Sequence, residues 1–172
     1  MDFLDHIWYP YVGVIRVYKN TCCFLGHKKI NETEELKSKL IGIIEKLIEE
    51  ENVDTFFFGS KSRFISLCLE LVTEIKEKHP HIKRVYVRAE YPYISEQYKD
   101  YLLGNYDDTY YPKNIINSGR ASYVERNYEM VNNSQFCVIY YDEQSTPTTR
   151  KSGTKVALDY AIKQRKKIIM VL

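Results

Sequence analysis

Residues 122–141 read Ser-Tyr-Val-Glu-Arg-Asn-Tyr-Glu-Met-Val-Asn-Asn-Ser-Gln-Phe-Cys-Val-Ile-Tyr-Tyr, and residues 151–160 read Lys-Ser-Gly-Thr-Lys-Val-Ala-Leu-Asp-Tyr. The first stretch predicts a helix carrying Arg126 followed by a buried strand. The second predicts a loop that delivers Ser152, Gly153 and Thr154 to the first turn of another helix. First-turn N–H groups have no intrahelical acceptor and lie at the positive end of the helix dipole. The pattern therefore predicts a site for a phosphate-bearing ligand such as a nucleotide.

Short apolar runs alternate with helical stripes along the rest of the chain. This alternation predicts an α/β fold, a single Rossmann-like domain with a mainly parallel sheet and helices on both faces. The predicted strands are residues 21–25, 55–58, 82–87, 136–141 and 167–172, with a short extended piece at 107–111 and a further candidate strand at 11–18. The first predicted helix follows an N-cap at Asn31, and the second contains the apolar stripe at 65–75. Three more helices are predicted at 95–103, 121–133 and 153–164.

The loops after four of these strands are expected to meet. Because β-α-β connections are right-handed, the chain leaves Leu25, Phe58, Val87 and Tyr141 at the same carboxyl edge of the sheet. Ligands of open α/β sheets bind at that edge. The sequence therefore places its candidate binding residues around one cleft.

Length and charge set broad limits on the protein. A chain of 172 residues suits one domain. The formal net charge of +2 gives no global electrostatic argument for nucleic acid or for an anionic membrane. Lys163 and the run 165–167 form a local basic segment, which we interpret as a solvated helix end.

The remaining composition favours a cytoplasmic protein without a metal site. The N-terminus carries acidic residues where a signal peptide needs positive charge, and no stretch is long and apolar enough to span a membrane. His79 and His81 lack companions at ligand spacing, so no metal is expected. The cysteines form no Cys-x-x-Cys pair and are interpreted as reduced thiols: Cys22, Cys23, Cys68 and Cys137.

The opening of the first strand carries a family resemblance. Residues 21–28 read Thr-Cys-Cys-Phe-Leu-Gly-His-Lys, which resembles the Cys-Cys-Phe-Thr-Gly-His-Arg opening of the YpsA-like bacterial proteins, with departures at Leu25 and Lys28. That branch belongs to the SLOG superfamily, the Rossmann-like group that includes the DprA and Lonely Guy proteins. The resemblance covers residues 21–172 and leaves residues 1–20 as an N-terminal extension.

Comparison with the Lonely Guy phosphoribohydrolases bears on catalysis. Arg126 and Met130 match the arginine and methionine of their Arg-Lys-x-x-Met helix, and residues 152–154 match part of their Pro-Gly-Gly-x-Gly-Thr-x-x-Glu loop. The glutamate position of that motif falls on Ala157. Glycosidic chemistry needs a carboxylate near its oxocarbenium-like transition state, so this departure favours binding over hydrolysis. Arg126, Glu129 and Asp142 remain the candidates for a catalytic role.

A second departure lies after Phe58. The YpsA-like branch has a glycine-rich segment ending in an aspartate there, whereas this chain keeps Gly59 and Ser60 and has Ile65 at the aspartate position.

Glu90 and Tyr91 follow the third predicted strand. Glu90 is a candidate for holding a ribose and Tyr91 for stacking on a base; alternatively, the two simply form a rigid turn with Pro92. The full predicted ligand-binding set is Gly26, His27, Gly59, Ser60, Glu90, Tyr91, Arg126, Ser152, Gly153 and Thr154.

Three functions follow from the residues and the resemblance. The first is a sensor or binding module for a nucleotide or an ADP-ribose-like derivative, with no cofactor. The second is an N-glycosidase acting on a nucleoside monophosphate through a relocated carboxylate. The third, single-stranded DNA binding, is suggested by kinship with DprA, but the near-neutral charge and the lack of a basic-aromatic stripe count against it. A homo-oligomer is compatible with all three.

Overall fold

The computed structural model describes residues 18–146 and 149–172, so all but the last residue of the candidate strand at 11–18 and most of the extension at 1–20 lie outside the described residues. The strands are β1 (Thr21–Gly26), β2 (Thr55–Phe58), β3 (Lys83–Val87), β4 (Asp108–Tyr110), β5 (Phe136–Tyr140) and β6 (Lys167–Met170). The helices are α1 (Glu34–Glu49), α2 (Arg63–Lys76), α3 (Glu96–Asn105), α4 (Arg120–Asn132) and α5 (Gly153–Lys163).

The described strands form one sheet in the order β4-β3-β2-β1-β5-β6, and each neighbouring pair is parallel. The chain builds outward from β1 to β4 and then returns to place β5 on the other side of β1. The strand order therefore reverses between β1 and β5, which creates the kind of crevice where α/β proteins bind ligands. The predicted single α/β domain with a parallel sheet is confirmed.

Each face of the sheet has its own apolar cluster. One cluster joins the sheet to α1, α2 and α3 and contains the large fully buried side chains of Leu40, Phe64 and Leu102. The other joins it to α4 and α5 through residues that include Met130 and Ala161. Helices therefore cover both faces, as the sequence predicts.

The N-cap of α1 differs from the prediction. The cap is Thr33, whose side-chain oxygen accepts a hydrogen bond from the N–H of Leu36 at 3.1 Å. Asn31 instead donates its backbone N–H to the hydroxyl of Tyr140 on β5, so it belongs to the loop above the sheet. The placement of Asn31 as the cap is wrong because this long-range contact is invisible in the local sequence.

Several predicted boundaries shift by one or two residues. β5 ends at Tyr140, because Tyr140 pairs with Gly26, the last residue of β1. β3 begins at Lys83, since the N–H of Ile82 turns back to the carbonyl of His79. Other shifts include the end of β6 at Met170 in place of 172, the start of α4 at Arg120, and Gln164 as the C-cap of α5.

The four cysteines are buried and carry free thiols. Burial raises the pKa of the Cys22 and Cys68 thiols well above the usual range, and a hydrogen bond to Cys137 together with burial raises that of Cys23. Buried thiols of this kind are poor nucleophiles. In the part of the chain that the structure describes, no helix is long and apolar enough to cross a membrane.

Gly26 provides a test of the packing under the cleft. A Cβ at this position would lie well inside contact distance of the Phe64 ring, which is fully buried. Gly26→Ala is expected to lower the free energy of unfolding by about 1–3 kcal/mol, as overpacking does. The measurement is urea unfolding of both proteins followed by circular dichroism.

Gly42 supplies the matched control. It lies on α1 with nothing within 4 Å of an added Cβ, so Gly42→Ala is expected to leave stability unchanged or raise it by up to about 1 kcal/mol. Equal stability of the Gly26 variant and wild type would show that Phe64 relaxes and that glycine is not required by packing.

Candidate functional cleft

A cleft of about 990 Å³ opens at the carboxyl edge of the sheet. Its walls come from the segments that follow β1, β2 and β3, from one face of α4, and from the N-terminus of α5. The volume lies within the range of small-molecule sites in proteins. The cleft is therefore large enough for a nucleotide or a longer ligand.

All ten residues of the predicted ligand-binding set line this cleft: Gly26, His27, Gly59, Ser60, Glu90, Tyr91, Arg126, Ser152, Gly153 and Thr154. They come from five separate stretches of the chain. The parallel topology brings these stretches together because every β-α loop emerges at the same edge.

Arg126 is the most distinctive residue of the cleft. Its side chain is 5% exposed. Its Nε donates to Asn127 Oδ1 at 3.0 Å, and its Cζ lies 5.5 Å from the centre of the Tyr123 ring. Among the described residues no carboxylate forms an ion pair with it, and burial lowers its pKa to about 10. Arg126 lines the cleft, and the bond from Nε is the only hydrogen bond of its guanidinium among the described residues, so its terminal nitrogens have donors left for a ligand.

Gly59 explains how Arg126 reaches this position. A Cβ at Gly59 would lie 2.7 Å from both Cδ and Nε of Arg126, and 2.5 Å from Sδ of Met130. The arginine side chain therefore runs directly over the end of β2, in the space that a larger residue would fill. The glycine is needed here for close approach.

The N-terminus of α5 forms the opposite part of the cleft. Ser152 is the N-cap, and its side-chain oxygen accepts from the N–H of Lys155 at 3.1 Å. The first backbone bond within the helix runs from Val156 to the Ser152 carbonyl, so the N–H groups of Gly153 and Thr154 precede the helical ladder. An added Cβ at Gly153 meets nothing within 4 Å. The predicted anion site is therefore open to the cleft.

His27 connects two of the loops. The backbone N–H of Asp142 donates to its Nε2 at 2.9 Å, and the same nitrogen lies 3.3 Å from the carbonyl oxygen of Asp142. The ring also packs against Tyr141 with 5.4 Å between centroids. These contacts give His27 a structural role in joining the end of β1 to the segment after β5.

Glu90 and Tyr123 face each other across the cleft. The Tyr123 hydroxyl donates to Glu90 Oε1 at 3.0 Å, and this bond raises the pKa of Tyr123. The neighbouring turn is fixed by Arg88, whose Nη1 donates to the carbonyls of Tyr91 and Pro92, each at 3.3 Å. Among the described lining residues Glu90 is the only carboxylate.

Glu129 and Asp142, the two carboxylates predicted as catalytic candidates, lie elsewhere. The Asp142 carboxylate accepts from the N–H of Gln144 at 3.0 Å and caps a single 3-10 turn. Glu129 is half-buried beside Tyr110 and Asn133, and burial raises its pKa. Neither residue belongs to the lining of the cleft, and neither does Ala157, which is 1% exposed in the core.

Sequence reasoning missed most of the positive charge of the cleft. Six described cationic side chains line it: Lys28, Lys29, Lys61, Arg88, Arg126 and Arg150. Tyr98 and Tyr123 also line it. The near-neutral total charge conceals this cluster because the carboxylates lie mainly on other surfaces. A signal was present for the lysines and Arg88, which all lie within three residues of a strand end, whereas nothing local marks Tyr98 or Tyr123.

The described residues contain no group of three or more His, Cys, Asp or Glu side chains that could hold a metal ion. The chemistry available in the cleft is therefore anion binding through guanidinium, ammonium and backbone N–H groups. Aromatic contacts from the tyrosines add a surface on which a base can stack.

Among solved structures, the fold is similar to that of DNA processing protein A from Helicobacter pylori, described for its unique single-stranded DNA binding mode. The TM-score is 0.56 and the identity is 14%, over 87% of this chain and 64% of that protein. This chain therefore spans less than two thirds of the length of that protein. The likeness shows that the two proteins share a fold.

No model of a known protein family matches the chain. The curated proteins do contain a relative, the uncharacterised SPbeta prophage-derived protein YoqJ of Bacillus subtilis (strain 168). The two are 30% identical over 152 residues, which cover 75% of this chain and 81% of YoqJ. This chain therefore belongs to the same family as YoqJ.

Proposed function

We propose that this protein binds a phosphate-bearing nucleotide, or a nucleotide derivative such as ADP-ribose, in the cleft at the carboxyl edge of the sheet. The observation that carries the proposal is Arg126, a guanidinium that is 5% exposed and that no described carboxylate neutralises. Burying a cation without a counter-charge destabilises the folded protein, so such a residue is expected where a bound anion pairs with it. The partner expected here is a phosphate, whose oxygens match the guanidinium fork.

The size of this cost follows from the pKa of Arg126. Burial lowers it from 12.5 to about 10, which corresponds to about 3 kcal/mol against the charged form. The folded pKa lies below the unfolded value, so the penalty is fully present at neutral pH and is relieved only as the pH rises through 10. A bound anion would offset it.

The rest of the cleft is consistent with a phosphorylated ligand. The free N–H groups at the start of α5 and the five other cationic side chains offer several further donors to phosphate oxygens. Glu90 is suited to accept hydrogen bonds from ribose hydroxyls, and Tyr91, which is 64% exposed, is suited to stack on a base. These are the roles that the sequence predicts for Glu90 and Tyr91 in the turn after β3.

Hydrolysis is the less favoured alternative. An N-glycosidase needs a carboxylate near the scissile bond, and Glu90 is the only described one that lines the cleft. Its oxygen already accepts the Tyr123 hydroxyl. A binding or sensing role needs no such group.

Single-stranded DNA binding is a second candidate. The similarity in fold to DNA processing protein A, whose reported property is single-stranded DNA binding, and the six cations of the cleft favour it. The near-neutral net charge does not count against this candidate, because the cations are clustered in the cleft. We also propose that the protein is related to the YpsA-like branch, because residues 21–28 resemble the opening of those proteins.

Arg126→Met tests the observation that carries the proposal. Methionine keeps much of the length and apolar surface of the side chain but removes the uncompensated charge. We expect the unliganded variant to be more stable than wild type by about 1–3 kcal/mol, because the desolvation cost disappears. We also expect stabilisation by AMP, ADP-ribose or NAD to be lost, as measured by thermal shift.

Arg120→Met is the matched control, since Arg120 is an exposed residue of the same helix and does not line the cleft. It should leave both stability and ligand response unchanged. A destabilised Arg126→Met variant that still responds to the ligands would mean that Arg126 has only a structural role.

The start of α5 provides a second test. Gly153→Glu puts a carboxylate where the phosphate is expected, and we expect ligand-induced stabilisation to disappear through like-charge repulsion. The fold should survive, because a carboxylate in the first turn interacts favourably with the helix dipole. Gly153→Ala is the control and should retain binding, since an added Cβ meets nothing within 4 Å. Undiminished binding by the Glu variant would exclude phosphate contact at this helix.

Binding and hydrolysis can be separated directly. Incubation of the protein with nucleoside monophosphates is expected to release no free base, as followed by chromatography. Base release that disappears in Glu90→Gln while ligand-induced stabilisation persists would instead establish hydrolysis with Glu90 as the catalytic carboxylate.

A further inference from the structure

Tyr86 lines the cleft without belonging to the predicted ligand-binding set. It lies on β3 and is half-buried. Its ring packs against that of Tyr106, with 5.1 Å between the ring centroids, on the face of the sheet covered by α1, α2 and α3. Packing therefore fixes the ring at the wall of the cleft.

The hydroxyl of Tyr86 is available as a hydrogen-bond donor. Among the described residues it has no hydrogen-bond partner. Burial raises the pKa of Tyr86 to about 12, and the charge of Arg126 opposes this shift. The phenol therefore keeps its proton at neutral pH and can donate it to a ligand. Tyr123 differs, because its hydroxyl already donates to Glu90 at 3.0 Å.

The register of β2 and β3 brings Tyr86 close to Arg126. Tyr86 pairs with Phe58, the residue before Gly59, and neighbouring strands lie about 4.8 Å apart. Cδ and Nε of Arg126 occupy the space where a side chain of Gly59 would begin. Burial lowers the pKa of Arg126, and of the ionisable groups that oppose this shift Tyr86 acts most strongly. Arg126 and Tyr86 therefore approach the same part of the sheet edge, one from the face covered by α4 and the other from the opposite face.

The guanidinium of Arg126 has donors left for the same space. Its only hydrogen bond among the described residues runs from Nε to Asn127 Oδ1 at 3.0 Å, so Nη1 and Nη2 remain for a ligand. A charged guanidinium and a protonated phenol that both donate favour an acceptor with negative charge between them. An oxygen-rich anion such as phosphate can accept from both at once.

We propose that Tyr86 is a phosphate-binding residue, whose hydroxyl donates to the same phosphate group that the guanidinium of Arg126 binds. The inference rests on the proposed function, because it adds a residue to the same phosphate site. The hydroxyl is neutral, so it strengthens phosphate binding without adding to the cost of burying charge.

Tyr86→Phe removes only the hydroxyl. Because that hydroxyl has no partner among the described residues, the midpoint of urea unfolding is expected to stay unchanged. Hydrogen bonds to charged acceptors are stronger than neutral ones, so the affinities for AMP and ADP-ribose are expected to fall about ten- to hundredfold, as measured by calorimetry. The thermal stabilisation of the protein by inorganic phosphate at constant ionic strength is expected to fall as well, because this probe has no nucleoside.

Tyr106→Phe is the matched control. Tyr106 packs against Tyr86, is 8% exposed and does not line the cleft. The control therefore removes a hydroxyl from the same aromatic pair outside the site, and it should change neither the nucleotide affinities nor the response to phosphate.

The outcomes separate this inference from the proposed function. A Tyr86→Phe variant that binds AMP and ADP-ribose as tightly as wild type would overturn the inference and leave the proposed function intact. Weaker nucleotide binding with an unchanged response to inorganic phosphate would place the hydroxyl against the nucleoside and overturn it too, as would an equal loss in Tyr106→Phe. If wild type binds neither AMP nor ADP-ribose, the proposed function itself is wrong and the inference fails with it.

Discussion

The passage of the Arg126 side chain over Gly59 is the constraint on which the cleft depends. Because Gly59 has no Cβ, Cδ and Nε of the arginine occupy the space above the end of β2, with Met130 of the same helix beside them. This contact fixes the distance of α4 from the sheet and brings Tyr123 within reach of Glu90. The α4 wall of the cleft therefore depends on the absence of a side chain at Gly59.

The strand order determines what faces that wall. Placing β5 next to β1 brings the N-terminus of α5 to the same edge as the segment after β1, and the bond from the Asp142 N–H to His27 holds the two segments together. Residues more than a hundred positions apart in sequence thereby share one site. The charges of that site are concentrated locally although the chain as a whole carries a formal net charge of only +2.

Much of the fold could be predicted because its signals are local. Alternating apolar runs and helical stripes mark the strands and helices, and right-handed connections then place the glycine-containing loops at one edge. The burial of Arg126 could not be predicted in this way, since its helix has a weak apolar pattern and the space it occupies is created by Gly59 on another element. The bond from the Asn31 N–H to Tyr140, which keeps Asn31 from capping α1, and the position of Glu129 outside the cleft also depend on contacts between distant segments.

The electrostatics of the cleft bear on whether it holds or cleaves its ligand. A glycosidic transition state develops positive charge on the sugar, and six cationic side chains against one carboxylate among the described lining residues would disfavour that charge. The same field stabilises anions, and it is strongest where Arg126 is shielded from water. The hydrogen bond from Tyr123 leaves Glu90 less free to act as a base. This composition therefore supports the proposal of a cleft that binds a phosphorylated ligand, because the same charges that favour the ligand's phosphate oppose the transition state of its hydrolysis.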